Sequence, residues 1–257
     1  MMGYQEEKFA VETPDDVTLR GVKYVPENIK AKIFFLHGLS VPKEGPANIL
    51  TETAASLAQN GFEVVAFDFR GHGTSGGKDH DFTFECGLVD FDTVFNTEQA
   101  SQPVGVLGFS FGAAIAVDYF VARNTKVAAA VLFSPVLDSG DGLFDNPNSV
   151  MGQAYAKMKT DGNDKMTMPN GFHIGAKMAE TANNYPAAYN LSKLSDNTLI
   201  IQGRNDQMLD FELMQKLGRD QVAKYIVLDT IHGLTEEKDR AIQLTVDWFS
   251  KKLMEAK

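Results

Sequence analysis

The stretch Val104-Gly105-Val106-Leu107-Gly108-Phe109-Ser110-Phe111-Gly112-Ala113-Ala114-Ile115-Ala116-Val117 decides the fold. Its opening apolar run predicts a buried strand, and its closing one predicts the start of a buried helix. Between them a serine is flanked by glycines at two-residue spacing. That is the nucleophile elbow pattern, and its physical reason is crowding. The turn forces Ser110 into a strained backbone conformation and lifts its hydroxyl clear of both elements. A side chain at Gly108 or Gly112 would collide with neighbouring backbone.

Working outward, the chain alternates strand-like and helix-like segments. Residues 8–12 and 17–25 alternate apolar and polar around Thr13-Pro14-Asp15-Asp16, which predicts a hairpin. Lys32-Ile33-Phe34-Phe35-Leu36 is continuously apolar after the lysine, as a central strand covered on both faces is, and Phe62 to Phe67 is another buried strand. Residues 47–60 and 83–97 carry apolar residues at helical spacing, with Asn60-Gly61 as a C-terminal cap. Residues 111–123, 208–218 and 235–254 read as further helices, and Val127 to Phe133, Thr198 to Gln202 and Tyr225 to Leu228 as further strands. Strand and helix in alternation imply right-handed crossovers and a mostly parallel α/β sheet flanked by helices.

Residues 139–197 break this rhythm. They are rich in Gly, Asp, Asn and Met, and they are too long for a plain loop. They are expected to form a lid insertion after the sixth strand, packed over the edge of the sheet. Residues 1–138 and 198–257 then form the core. The insertion holds five of the ten methionines, Met151, Met158, Met166, Met168 and Met178. Flexible thioethers suit an irregular acyl or aromatic pocket, and they equally suit a small core belonging to the insertion itself.

Composition sets outer bounds. The 257 residues allow one large domain, 44% are hydrophobic, and the net charge is −10. Both nucleic acid and anionic membrane demand basic surface, so neither is expected as the main partner. Cys86 stands alone, which rules out an intrachain disulfide, and it is expected to be a buried, inert thiol. Neither a signal peptide nor an apolar run of membrane-spanning length is present, so a cytoplasmic location is the default expectation. Oligomeric state is not legible.

In a parallel sheet, ligands collect outside the carboxyl ends of the strands. There the sequence places His37-Gly38-Leu39-Ser40, Asp68-Phe69-Arg70-Gly71-His72-Gly73-Thr74-Ser75, Ser110, Gly203-Arg204-Asn205-Asp206 and Asp229-Thr230-Ile231-His232-Gly233. A serine needs a base to take its proton, and that base needs a carboxylate to fix its tautomer. His232 has His37, His72, His80 and His173 as rivals. Asp206 has Asp68, Asp138, Asp210 and Asp229. The backbone N–H groups of Phe111, at the helix start, and of Leu39 are the expected oxyanion donors.

Together these motifs resemble the α/β-hydrolase superfamily, in its chain order of Ser, acid, His, over residues 18–250 apart from the insertion. Within it, the compact length and the stretch from Gly171-Phe172-His173-Ile174-Gly175 to Tyr185-Pro186 are most similar to small carboxylesterases of the feruloyl and cinnamoyl type. The resemblance implies Ser110, Asp206 and His232 as catalytic residues, and His37, Gly38, Gly108 and Gly112 as structural motif residues. Asp68 and Arg70, which are expected to anchor a turn, and His72, which sits in it and is expected to hydrogen-bond there, stand outside what the resemblance implies. It implies hydrolysis of a small-molecule ester through an acyl-serine intermediate, with no metal and no cofactor. The same triad also serves aminopeptidases, thioesterases, monoacylglycerol lipases and C–C hydrolases. An aminopeptidase should present a carboxylate to its pocket, for which Asp161, Asp164 and Glu180 are candidates. A non-catalytic ligand-binding member of the fold is the alternative of another class.

Overall fold

The apolar runs become strands and the amphipathic stretches become helices in a computed structural model that describes residues 3–98, 103–182, 184–185 and 187–255. In chain order, β1 (Tyr4–Glu12) and β2 (Thr18–Pro26) form the hairpin, followed by β3 (Ala31–Leu36), α1 (Ile49–Gln59), β4 (Phe62–Phe67), α2 (Phe84–Thr97), β5 (Val104–Phe109), α3 (Phe111–Ala122) and β6 (Ala129–Phe133). The inserted segment carries α4 (Val150–Thr160), the short hairpin β7 (Lys165–Thr167) and β8 (His173–Gly175), α5 (Ala176–Ala182) and α6 (Ala187–Leu191). The regular pattern resumes with β9 (Thr198–Gly203), α7 (Phe211–Gly218), β10 (Lys224–Leu228) and α8 (Lys238–Glu255).

Among the described residues the main sheet has eight strands in the order β1-β2-β4-β3-β5-β6-β9-β10. From β4 to β10 every pairing is parallel, and β2 joins β4 antiparallel. This is the α/β sheet that the alternation predicts. Its central strands β3, β4, β6 and β9 are buried along their whole length, as their mostly apolar composition requires, with Lys32, Glu63, Thr198 and Gln202 the buried polar residues among them.

Two apolar clusters cover the faces of the sheet. One joins α1 and α8 through Leu57, Ala241 and Phe249. The other joins α2 and α3 to the inserted segment, and it includes Met151, Met158, Met166, Met168 and Met178. Residues 139–197 therefore add their methionines to the main core and help to cover one face of the sheet. As a result α3 is buried on all sides from Phe111 to Phe120, which explains why it carries no polar stripe.

Several expectations change in detail: β1 starts at Tyr4 and α8 at Lys238. Cys86 is half-buried, with Thr83 Oγ1 donating to its Sγ at 3.3 Å, because the core face of α2 runs through Phe84, Gly87, Phe91 and Val94. The expected helix 208–218 starts three residues later. Asp210 caps it by accepting from Leu213 N, while Met208 and Leu209 belong to the preceding turn. Pro186 lies outside the described residues.

The covering of α3 buries one carboxylate. Asp118 accepts from Asn190 Nδ2 of α6 at 2.6 Å, and its other oxygen has no hydrogen-bond partner among the described residues. Burial raises its pKa to about 6, only partly offset by the Asn190 bond. Since the folded pKa lies above the unfolded one, the favourable contribution is present at acid pH and lost as pH rises through about 6. Asp118→Asn keeps the acceptor and removes the charge. It should stabilise the fold at pH 7.5 by up to about 3 kcal/mol, and the gain should shrink toward pH 4.5. Thermal unfolding of both proteins across that range checks this, and a gain independent of pH would contradict it.

Candidate active site

The elbow is as crowded as its glycines suggest. Ser110 sits at φ 54°, ψ −115°, between the end of β5 and the first residue of α3. Its N–H donates to Phe133 O at 2.8 Å, and its carbonyl accepts from Val136 N at 3.2 Å. A Cβ at Gly112 would lie 2.3 Å from Leu36 O and 2.4 Å from His37 O, and one at Gly108 would lie 2.4 Å from Ala113 Cα.

Ser110, His232 and Asp206 meet at the carboxyl edge of the sheet. Ser110 Oγ–H donates to His232 Nε2 at 2.9 Å, and His232 Nδ1–H donates to Asp206 Oδ2 at 2.7 Å. The carboxylate fixes the tautomer, leaving Nε2 free to accept. Asp206 is fully enclosed: its Oδ1 accepts from Met208 N at 2.9 Å and Leu209 N at 3.0 Å, and its Oδ2 also accepts from Gln202 Nε2 at 2.9 Å. The loop bearing His232 is anchored as well. Ser134 Oγ donates to His232 O at 2.8 Å, and the Glu236 carboxylate accepts from Thr230 Oγ1, Ile231 N and Thr235 Oγ1.

The other candidates fall elsewhere. His37 and His72 are buried and stitch two loops together in reciprocal fashion. His37 Nδ1–H donates to Gly38 O at 2.8 Å, and its Nε2 accepts from Phe69 N at 2.9 Å. His72 Nδ1–H donates to Arg70 O at 3.0 Å, and its Nε2 accepts from Ser40 N at 3.3 Å. Their rings lie 4.9 Å apart. Burial lowers the pKa of both, that of His72 to about 3, so both act as neutral connectors. Asp68 binds Lys43 and Thr74. Burial pushes its pKa up, but the Thr74 and Lys43 N–H groups outweigh that and hold it below the usual range. Arg70 pairs with Asp15 and Asp90. His80 and His173 both face Asp79. Asp210 caps α7, and Asp229 accepts from Asn205.

A cavity of about 270 Å³ opens above Ser110 and His232. Leu39, Val41, Pro46, Phe109 and Phe111 wall it from the sheet side, and Leu143, Met151, Met168 and Ile174 wall it from the inserted segment. Leu39 and Phe111, the expected oxyanion donors, line this cavity together with Ser110, and a Cβ at Gly38 would come within 3.1 Å of Ser110 Cβ. His232 is the only ionisable side chain on that wall among the described residues, and Asp161, Asp164 and Glu180 are exposed away from it. A larger depression of about 660 Å³ lies at the amino ends of β5 and β6 and holds none of these residues. No group of three His, Cys, Asp or Glu side chains among the described residues is placed to hold a metal ion. No helix among them is long and apolar enough to cross a membrane.

A family model described as serine aminopeptidase, S33 (Hydrolase_4) matches residues 27–170. The chain belongs to this family of α/β-hydrolases. It is 26% identical over 190 residues to lysophosphatidylserine lipase ABHD12 of Gallus gallus, covering 72% of this chain and 46% of that one. It is 28% identical over 109 residues to an uncharacterized abhydrolase domain-containing protein of Dictyostelium discoideum, covering 42% of this chain and 11% of that one. The chain spans less than half the length of these relatives. Among solved structures, an esterase of Pyrococcus furiosus superposes with a TM-score of 0.69 at 18% identity, over 98% of this chain and 93% of the other. The alpha/beta hydrolase domain-containing protein 10 of mouse superposes at 0.71 and 16% identity, over 98% and 100%. Both share the α/β-hydrolase fold.

Gln202, Ser134 and Glu236 escaped the sequence reading. The one available signal was a buried amide ending the otherwise apolar run Leu199-Ile200-Ile201-Gln202. The elbow itself is open to test. Gly112→Ala should cost more than about 3 kcal/mol, because two carbonyls must move, and should leave little soluble protein. Soluble yield and urea unfolding check this, and a variant as stable as the parent would refute the close approach.

Proposed function

We propose that the chain is a serine carboxylesterase acting on small to medium neutral esters with an apolar acyl group. The observation that carries this reading is the hydrogen-bonded chain from Ser110 through His232 to Asp206, lying on the floor of an uncharged cavity. His232 Nε2 takes the proton of Ser110 as its Oγ attacks the ester carbonyl, and the buried Asp206 stabilises the resulting imidazolium. The N–H groups of Leu39 and Phe111 receive the oxyanion, the latter with the dipole of α3 behind it. His232 then passes its proton to the departing alcohol. Water, deprotonated by the same imidazole, releases the acid.

The cavity also supports a choice of substrate. A site specific for a free amino terminus needs an anion to receive the ammonium group, and none lines this wall among the described residues. That favours esters over the aminopeptidase reaction for which the family model is named. The ABHD12 relatives are named for lysophosphatidylserine, an anionic lipid. No Lys or Arg lines this cavity among the described residues, so a charged head group would lie outside it. Met151, Met168 and Met208 adapt to straight and aromatic acyl groups alike, which keeps cinnamoyl-type esters within the proposal. Residues 139–197 act as the cap that closes the acyl side.

A fluorophosphonate probe should label the parent protein and not Ser110→Ala. Turnover of p-nitrophenyl butyrate should fall at least ~1,000-fold in that variant with its circular dichroism unchanged. Because the cavity lies near the lower end of ligand-site volumes, roughly 300–1,000 Å³, p-nitrophenyl palmitate should be a far poorer substrate than the butyrate. Equal hydrolysis by the parent and Ser110→Ala would overturn the assignment.

A further inference from the structure

The loop that carries Leu39 is held from two sides, and one of them is the inserted segment. Ser40 follows Leu39 and sits at φ 63°, a left-handed conformation that a side chain disfavours. Both polar groups of its backbone are engaged. Its N–H donates to His72 Nε2 at 3.3 Å, from the core side. Its carbonyl accepts from Asn170 Nδ2 at 2.7 Å, from the tip of the β7–β8 hairpin.

That hairpin is itself fastened to the same region. Phe172 packs on the His72 ring with centroids 4.4 Å apart. His173 donates to Asp79 Oδ2 from its main-chain N at 2.8 Å and from Nδ1 at 2.9 Å. Gly175 lies so close to His80 that a Cβ there would come within 2.2 Å of the His80 carbonyl. Met168 and Ile174, on either side of the tip, face the cavity. The hairpin thus lines the acyl side of the cavity and grips the loop on its other side.

From this we infer that Asn170 is a positioning residue for the oxyanion hole: by bonding the Ser40 carbonyl it fixes the Leu39 peptide beside Ser110, coupling the seating of the inserted segment to transition-state stabilisation. The inference rests on the esterase reading for its catalytic part. Its structural part, the coupling of hairpin to loop, stands independently. An N–H aimed at a developing oxyanion contributes only while its direction is held, so loosening the loop should act on turnover more than on binding.

Asn170 also accepts from Phe172 N through Oδ1 at 3.2 Å. Asn170→Asp can keep that bond within the hairpin and loses only the donation to Ser40, whereas Asn170→Ala loses both. Three measurements on the parent, both variants and Ser110→Ala test the inference. In both Asn170 variants kcat for p-nitrophenyl butyrate should fall about tenfold with KM within twofold. Affinity for a trifluoromethyl ketone, whose serine adduct carries an oxyanion, should fall in parallel. Amide hydrogen exchange over residues 37–41 should accelerate in both, an outcome that a through-space charge effect of the aspartate would not produce.

Unchanged exchange in the two variants would overturn the coupling. Faster exchange with unaltered kcat would overturn the positioning role. An Asn170→Asp variant that behaves like the parent would show that the side chain fills space and does not act as a donor. Failure of the esterase reading would show separately, as undiminished turnover in Ser110→Ala.

Discussion

Ser110 is held at a backbone conformation that an isolated serine would leave at once, and the carboxyl edge of the sheet is organised to keep it there. Its N–H is taken by β6, its carbonyl by Val136, and the helix that follows passes so near β3 that only glycine fits at position 112. The strain is sustained because α3 is enclosed, with the sheet beneath it and the inserted segment on its far side. A helix exposed on one face could tilt to relieve the turn. This one is buried all round from Phe111 to Phe120, so the hydroxyl stays aimed at His232.

The same logic of satisfied groups runs through the site. Asp206 accepts four hydrogen bonds, three of them from groups other than the imidazole, so its orientation does not depend on His232. Enclosing a carboxylate away from water is costly unless its lone pairs are occupied, and here they are. His232 stands at the cavity with part of its ring accessible, where substrate and water can reach it. The inserted segment contributes apolar wall on one side and a polar grip on the Leu39 loop on the other.

Much of this was legible in the sequence because it rests on local signals. The apolar runs at 33–36, 64–67 and 199–201 marked buried strands, and the residues that end them marked the edge where Ser110, Asp206 and His232 meet. His72 read correctly as a structural hydrogen-bonding residue from its place in a turn. The partners of these residues were not legible. Nothing local tells that Gln202 reaches Asp206, that Ser40 lies between His72 and Asn170, or that Asp118 is covered by α6. The contacts of Ser40 and Asp118 join residues 32 to 130 positions apart, and the Gln202–Asp206 bond, though only four residues long, depends on how the turn after β9 folds. Residues 139–197 were the least readable, because the apolar faces of their short helices and hairpin pack into the main core, which no local pattern shows.

His37 and His72 carry a wider consequence. Each is used as a flat frame with a donor on one edge and an acceptor on the other, and neither is used for its charge. A carboxamide offers the same two functions, so drift from histidine to glutamine is a path that the loops could absorb. Phenylalanine matches the shape and lacks both functions, and it would strand the N–H of Phe69 or of Ser40 without an acceptor. What the fold requires at these two positions is a pattern of polarity, in residues whose usual talent for titration is left unused.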